Sequence, residues 1–149
     1  MSEKNNGELI KVEDWMKPFD GRYGDIEELR SMILYKKIKS INKDKVELEN
    51  GIVLTIECSD ADCCAGGEGH FEFDEFDVPI DALITDFVIG KQIDVPDSDT
   101  IVRRNTITLY HNQNPVVLAN AETDAGNGGY YYSVTSLVVN DIHFPFVDA

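Results

Sequence analysis

A chain of 149 residues is long enough for one domain with a real core and too short for two of ordinary size. Hydrophobic residues make up 42% of it, which excludes a disordered chain despite a net charge of −15 at neutral pH. That charge repels phosphate, so nucleic acid and anionic membrane are excluded as direct ligands, and no apolar run reaches the roughly 18–20 residues that cross a bilayer.

Residues 1–13 are polar and are expected to form a flexible tail, followed by a single domain over 14–149. The opening Met1–Asn6 lacks the apolar core of a signal peptide, so the expected location is the cytoplasm. Asp25 is placed to cap a short helix over Ile26–Met32, because its carboxylate can accept from an amide one turn further on. From Ile33 to Ser40 the apolar period changes to two, which predicts a strand, and Asn42-Lys43-Asp44 turns the chain into Lys45–Glu49. Asn50-Gly51 tolerates the positive φ of a two-residue hairpin turn, with Ile52–Glu57 as the returning strand.

The segment from Glu57 to His70 reads as a flexible loop holding all three cysteines, Cys58, Cys63 and Cys64, with His70 and several carboxylates. Thiolates and imidazole suit zinc, but C-x4-C-C-x5-H lacks two separated knuckles, and adjacent cysteines rarely chelate one tetrahedral ion together. An EF-hand count starting at Asp60 fails at Ala65, where glycine belongs, and at Phe71, where a bidentate glutamate belongs. Neighbouring carboxylates would raise, not lower, the pKa of a nucleophilic thiol. The expectation is three reduced, structural thiols, no metal and no cofactor, and a protein that is not an enzyme.

Phe71–Asp74 alternates again, and Pro79 is placed in the first turn of a second short helix reaching Ile84. Asp86–Val95 reads as one strand kinked at Gly90. Ile101–Tyr110 and Val116–Ala121 form a hairpin around Asn112–Pro115, and Tyr130–Val139 is a last long strand. The fold class that follows is α+β: a mainly antiparallel sheet of about six to eight strands with two short helices in one compact domain.

Two features stand out as candidate sites. Between Glu57 and Asp99 thirteen acids face one base, Lys91, whereas Arg30–Lys45 is basic, so an acidic side is expected. Its carboxylates Glu68, Glu72, Asp74, Glu75, Asp77 and Asp81 would attract a basic protein surface over about one Debye length. Tyr130-Tyr131-Tyr132 is the second partner-binding candidate, because an outward tyrosine on a strand is a frequent interface anchor.

Asp62-Cys63-Cys64, the acidic stretch through Asp81 and Leu83, and Asn127-Gly128 with Tyr131-Tyr132-Ser133 together resemble a family of small uncharacterised phage and prophage proteins. That family carries a D-C-C-E motif and then an S-N-G-Y-Y-S-type motif. The resemblance spans roughly residues 32 to 139 and departs from the pattern at Ala65 and at Gly129-Tyr130. It implies a phage-type origin and an α+β fold, with no activity attached. With the acidic charge, it leads to the expectation of a non-catalytic protein that docks on a basic host protein. Nucleic-acid-handling defence machinery, such as CRISPR or restriction enzymes, is the natural class. The alternatives are a metal-binding or Cys/His enzyme built on residues 58–70 and a phage structural component.

Overall fold

A computed structural model describes residues 7–13, 16–62, 64–126 and 131–149. In chain order they form β1 (Arg22–Tyr23), α1 (Ile26–Ile33), β2 (Ile38–Ile41), β3 (Val46–Leu48), β4 (Val53–Ala61), β5 (Gly66–Glu72), β6 (Asp86–Ile89), β7 (Ile93–Asp94), β8 (Val102–His111), β9 (Asn114–Asp124), β10 (Ser133–Val139) and β11 (Ile142–Asp148). The strands make two sheets, one ordered β1-β11-β10-β4-β3-β2 and one ordered β5-β9-β8-β6, with β7 also paired to β8. Apart from β1 alongside β11, every strand pair is antiparallel.

The expected α+β class is thereby corrected to a mainly β fold with a single α-helix among the described residues. The second helix does not form. Residues 81–84 instead run beside the start of β2: Asp81 N donates to Ile38 O, Ile38 N to Ala82 O, and Lys37 bridges Leu83. Short apolar runs carry no period strong enough to separate helix from strand, and here an unpaired strand edge was the better partner.

Smaller expectations are sorted by the same geometry. Asp25 caps α1 by accepting from Glu28 N at 2.9 Å, but the helix runs on through Ile33, and β2 starts only at Ile38. Asn50 and Gly51 take φ of 66° and 76° between β3 and β4, as the hairpin requires. The cysteine loop is largely strand, since β4 continues to Ala61 and β5 begins at Gly66. Asp86–Val95 splits into β6 and β7 around Gly90.

The two sheets pack face to face, with β10 and β11 lying over β5, β8 and β9. Every residue of β10 is buried, so neither of its faces meets solvent. One face meets the second sheet. The strap of residues before α1 is tied to the first sheet by Ile10 N on Pro145 O, Phe19 N on Ser59 O and Gly24 N on His143 O. Gly21 permits a close approach: at φ 70° it lies against Asp141 O, where a Cβ would stand only 1.9 Å away.

Between the sheets, Leu54, Phe71, Ile107, Ala119, Leu137 and Phe144 join one buried cluster. Burying such side chains supplies the main driving force for folding. Buried Asn105 on β8 fastens the layers by donating from Nδ2 to Phe146 O on β11 at 2.7 Å and to Gly90 O at 2.9 Å. These two bonds satisfy an amide that would otherwise be costly to bury.

Candidate functional site

All six acidic candidates are exposed. Glu68 and Glu72 project from the outward face of β5, because Gly67, Gly69 and Phe71 occupy the alternate, inward positions. Glu72 accepts from Asn120 at 3.1 Å and pairs with His70 at 2.8 Å, and these two contacts hold its carboxyl below the usual glutamate range. Asp74 caps the turn that follows, accepting from Phe76 N at 2.9 Å. The turn lifts Phe76 wholly into solvent, with Val78 and Ile80 also exposed and Glu75, Asp77 and Asp81 on either side.

The charge blocks that are far apart in sequence meet here. Phe71 N bonds Lys43 O just before the acidic loop, and the bridge from Lys37 to Leu83 lies just after it. Exposed Tyr35, at φ 65°, donates its N–H to Ile84 O on the same border. The surface is therefore an apolar tip with acids around it and a basic strand alongside, not a uniformly acidic side. This juxtaposition follows from the β2 edge pairing with residues 81–84, which no local pattern announces.

At the other end of β5 the two sequence motifs come together. Asp62 N donates to Tyr132 O at 3.0 Å, Tyr132 N returns a bond to Asp62 Oδ2 at 3.2 Å, and Tyr132 Oη donates to Asp60 Oδ2 at 2.7 Å. Cys64 is exposed with φ 74°, beside a cleft of about 400 Å³ lined by Gly66, Glu68, Glu122 and Asp124. Cys63, Asn127, Gly128 and Tyr130 lie outside the described residues. Tyr131 and Tyr132 are both half-buried just ahead of β10 and do not alternate along a strand.

Of the candidate metal ligands, Cys58 is half-buried in β4 with its pKa raised by burial, Cys64 is exposed, and His70 pairs with Glu72. Among the described residues no three His, Cys, Asp or Glu side chains are placed to hold one ion.

A third constellation was not legible in the sequence. On the strap side of the first sheet, Ser136 Oγ lies 2.5 Å from Ser59 Oγ, which lies 2.7 Å from His143 Nδ1; His143 Nε2 is 3.4 Å from Asp20 Oδ1. Since the carboxylate only accepts, a neutral imidazole carries its proton on Nε2 and accepts from Ser59 on Nδ1. This carboxylate–imidazole–hydroxyl order is that of an activated serine. Yet Ser59 and Ser136 have no exposed area and His143 only 1%, so the chain is closed beneath the strap and acts there as its polar fastening. Strands β4, β10 and β11 bring these three residues together from positions 59, 136 and 143, and sequence spacing alone gives no hint of it.

Tyr23 packs edge-on against His143, and its hydroxyl is buried. Burial first, then the charge of Asp60, push its phenol up to about 12; the same two influences and the bond to Asp60 raise Tyr132 as well. A raised tyrosine keeps its proton in the folded state after the unfolded chain has lost it. The stabilisation is thus complete below pH 10 and is lost as pH rises through the folded values. Phenolate absorbance during an alkaline titration, compared between wild type and the Tyr23→Phe and Tyr132→Phe variants, should show Tyr23 and Tyr132 ionising only well above pH 10, together with unfolding. Ionisation of Tyr23 and Tyr132 near pH 10 with the fold intact would contradict the raised pair.

No helix among the described residues is long and apolar enough to cross a membrane. Comparison with curated proteins and comparison with solved structures each returned no match. The family comparison did return one: residues 31–138 match the family described as Domain of unknown function (DUF7448), a span that begins near the end of α1 and ends in β10. It takes in the acidic loop and both motifs, so with well over half of its length matched, the chain belongs to the DUF7448 family.

Proposed function

We propose that this is a non-catalytic binding protein of phage or prophage type that acts in the cytoplasm of a bacterial host by docking on a basic host protein. Its docking element is the acidic loop from Asp74 to Asp81. The observation that carries the reading is the full exposure of Phe76 at the tip of a turn flanked by Asp74, Glu75 and Asp77. Holding a phenyl ring in water costs about 2 kcal/mol relative to burying it, so a partner that covers it recovers that free energy. The surrounding carboxylates add steering and select a basic surface, the pattern of an apolar anchor inside a charged rim. Enzymes that handle nucleic acid, including CRISPR and restriction effectors, present basic channels of this kind.

Glu72 and Asp74 are poor choices for a test because their side chains hold the local structure, and Asp81 sits at φ 67°. Glu75 and Asp77 are exposed and free of such roles, so the double variant E75K/D77K should change stability by about 0.5 kcal/mol per site or less. In pull-downs against purified DNA-cutting effectors of the host, wild type should capture a target at low salt and lose it at high salt. E75K/D77K and Phe76→Ser should each lose it at both. Salt-insensitive capture that survives in both variants would refute docking through this loop.

A further inference from the structure

A large concave surface lies away from the acidic loop, where the strap, α1 and β6 enclose a cleft of about 690 Å³. That volume falls within the range of small-molecule sites, roughly 300–1,000 Å³. Its apolar lining comes from three separate elements: Leu9 on the strap, Ile26 on α1, and Phe87 and Ile89 on β6. Arg30 supplies the polar group, its guanidinium lying over the Phe87 ring at 5.4 Å from the centroid. Among the described residues its one carboxylate contact is Glu27, at a long 3.9 Å and mostly in solvent. Exposed Lys11, on the strap, also lines the cleft. Of the two acids at the mouth, Glu8 is exposed, and Asp25 is committed to capping α1.

We propose that this cleft is a binding site for a small amphipathic anion, a carboxylate or sulfonate carrying an apolar or aromatic body. The apolar body would cover Phe87, Ile89 and Ile26, while the anionic group would meet the Arg30 guanidinium, whose planar fork suits two oxygens of one acid group. A cationic ligand of the same shape would meet Arg30 and Lys11 as like charges. One wall is the strap segment around Ile10, held to β11 through Ile10 N and Pro145 O, so an occupant would also clamp the strap to the domain. This site is independent of docking through Phe76.

The aromatic sulfonate 8-anilinonaphthalene-1-sulfonate serves as the probe. It should bind the folded protein in a single saturable class, with a fluorescence rise and blue shift. Decanoate should displace it, and decyltrimethylammonium, with the same tail and opposite charge, should not. Arg30→Gln should weaken probe binding about tenfold, the equilibrium factor of one charge-assisted hydrogen bond, while Phe76→Ser should leave it unchanged. Equal displacement by the two competitors, binding unaffected by Arg30→Gln, binding lost with Phe76→Ser, or no saturable binding would each overturn the assignment. The competitor comparison uses the wild-type chain, so it decides the matter even if Arg30→Gln folds poorly.

Discussion

Phe71→Ala is expected to lower the unfolding free energy by about 3–5 kcal/mol, the cost of an aromatic cavity in a core that cannot collapse. Phe71 is 1% exposed and lies on β5 opposite Ala119 of β9. Its cross-strand neighbour is small, so the ring fills much of the space there and its loss leaves a cavity among tightly packed neighbours. Against a total stability of roughly 5–15 kcal/mol, this is a large fraction. The docking loop starts three residues later, just past the bond of Phe71 N to Lys43 O, so loss of the ring should also loosen the loop. Chemical denaturation would show a lower midpoint at unchanged slope. A loss below about 1 kcal/mol would mean that the two sheets do not meet over Phe71.

Gly67→Val should be comparably damaging, for the opposite reason. A Cβ at Gly67 would stand 2.0 Å from Thr135 Oγ1, 2.8 Å from Thr123 Oγ1 and 3.0 Å from Glu122 O. Neither threonine can yield easily. Both are buried and β-branched, and Thr123 Oγ1 is bonded to Ser133 Oγ at 2.5 Å while Thr135 Oγ1 donates to Thr123 at 3.2 Å. Overpacking of this kind costs about 1–3 kcal/mol, and a branched side chain against stiff neighbours belongs at the upper end. The adjacent Gly66 gives an internal control, because a Cβ there meets nothing within 4 Å. Gly66→Ala should change the melting temperature little, and Gly67→Val should lower it by many degrees. Equal effects would show that β5 is not packed against the first sheet at this point.

Local chemistry was enough for the features that are decided within a few residues. Asp25 as helix cap, the positive-φ pair Asn50-Gly51, and the hairpin of β8 and β9 each depend on neighbours in sequence, and each was legible there. The acidic candidates are exposed as expected, since charged side chains are rarely buried without partners. The resemblance covers roughly residues 32 to 139, and the DUF7448 match covers residues 31–138.

What depends on long-range pairing was not legible. β11 was missed altogether: its run Ile142–Asp148 contains Pro145 and a buried histidine, and reads as a strand only because β10 lies beside it and the strap covers it. The second helix was expected from Pro79 and a short apolar run, and was lost to the open edge of β2. The meeting of the acidic loop with the Lys37–Lys43 segment, the fastening of Ser59 to His143, and the Arg30 cleft all join residues from separate strands or segments. Composition and periodicity report on one residue and its near neighbours, so they determined that this chain is an acidic, folded, strand-rich domain. Which side chains share a site was decided by sheet order and by the strap across it, because backbone hydrogen bonds satisfied between distant strands, not any local preference, set those neighbours in place.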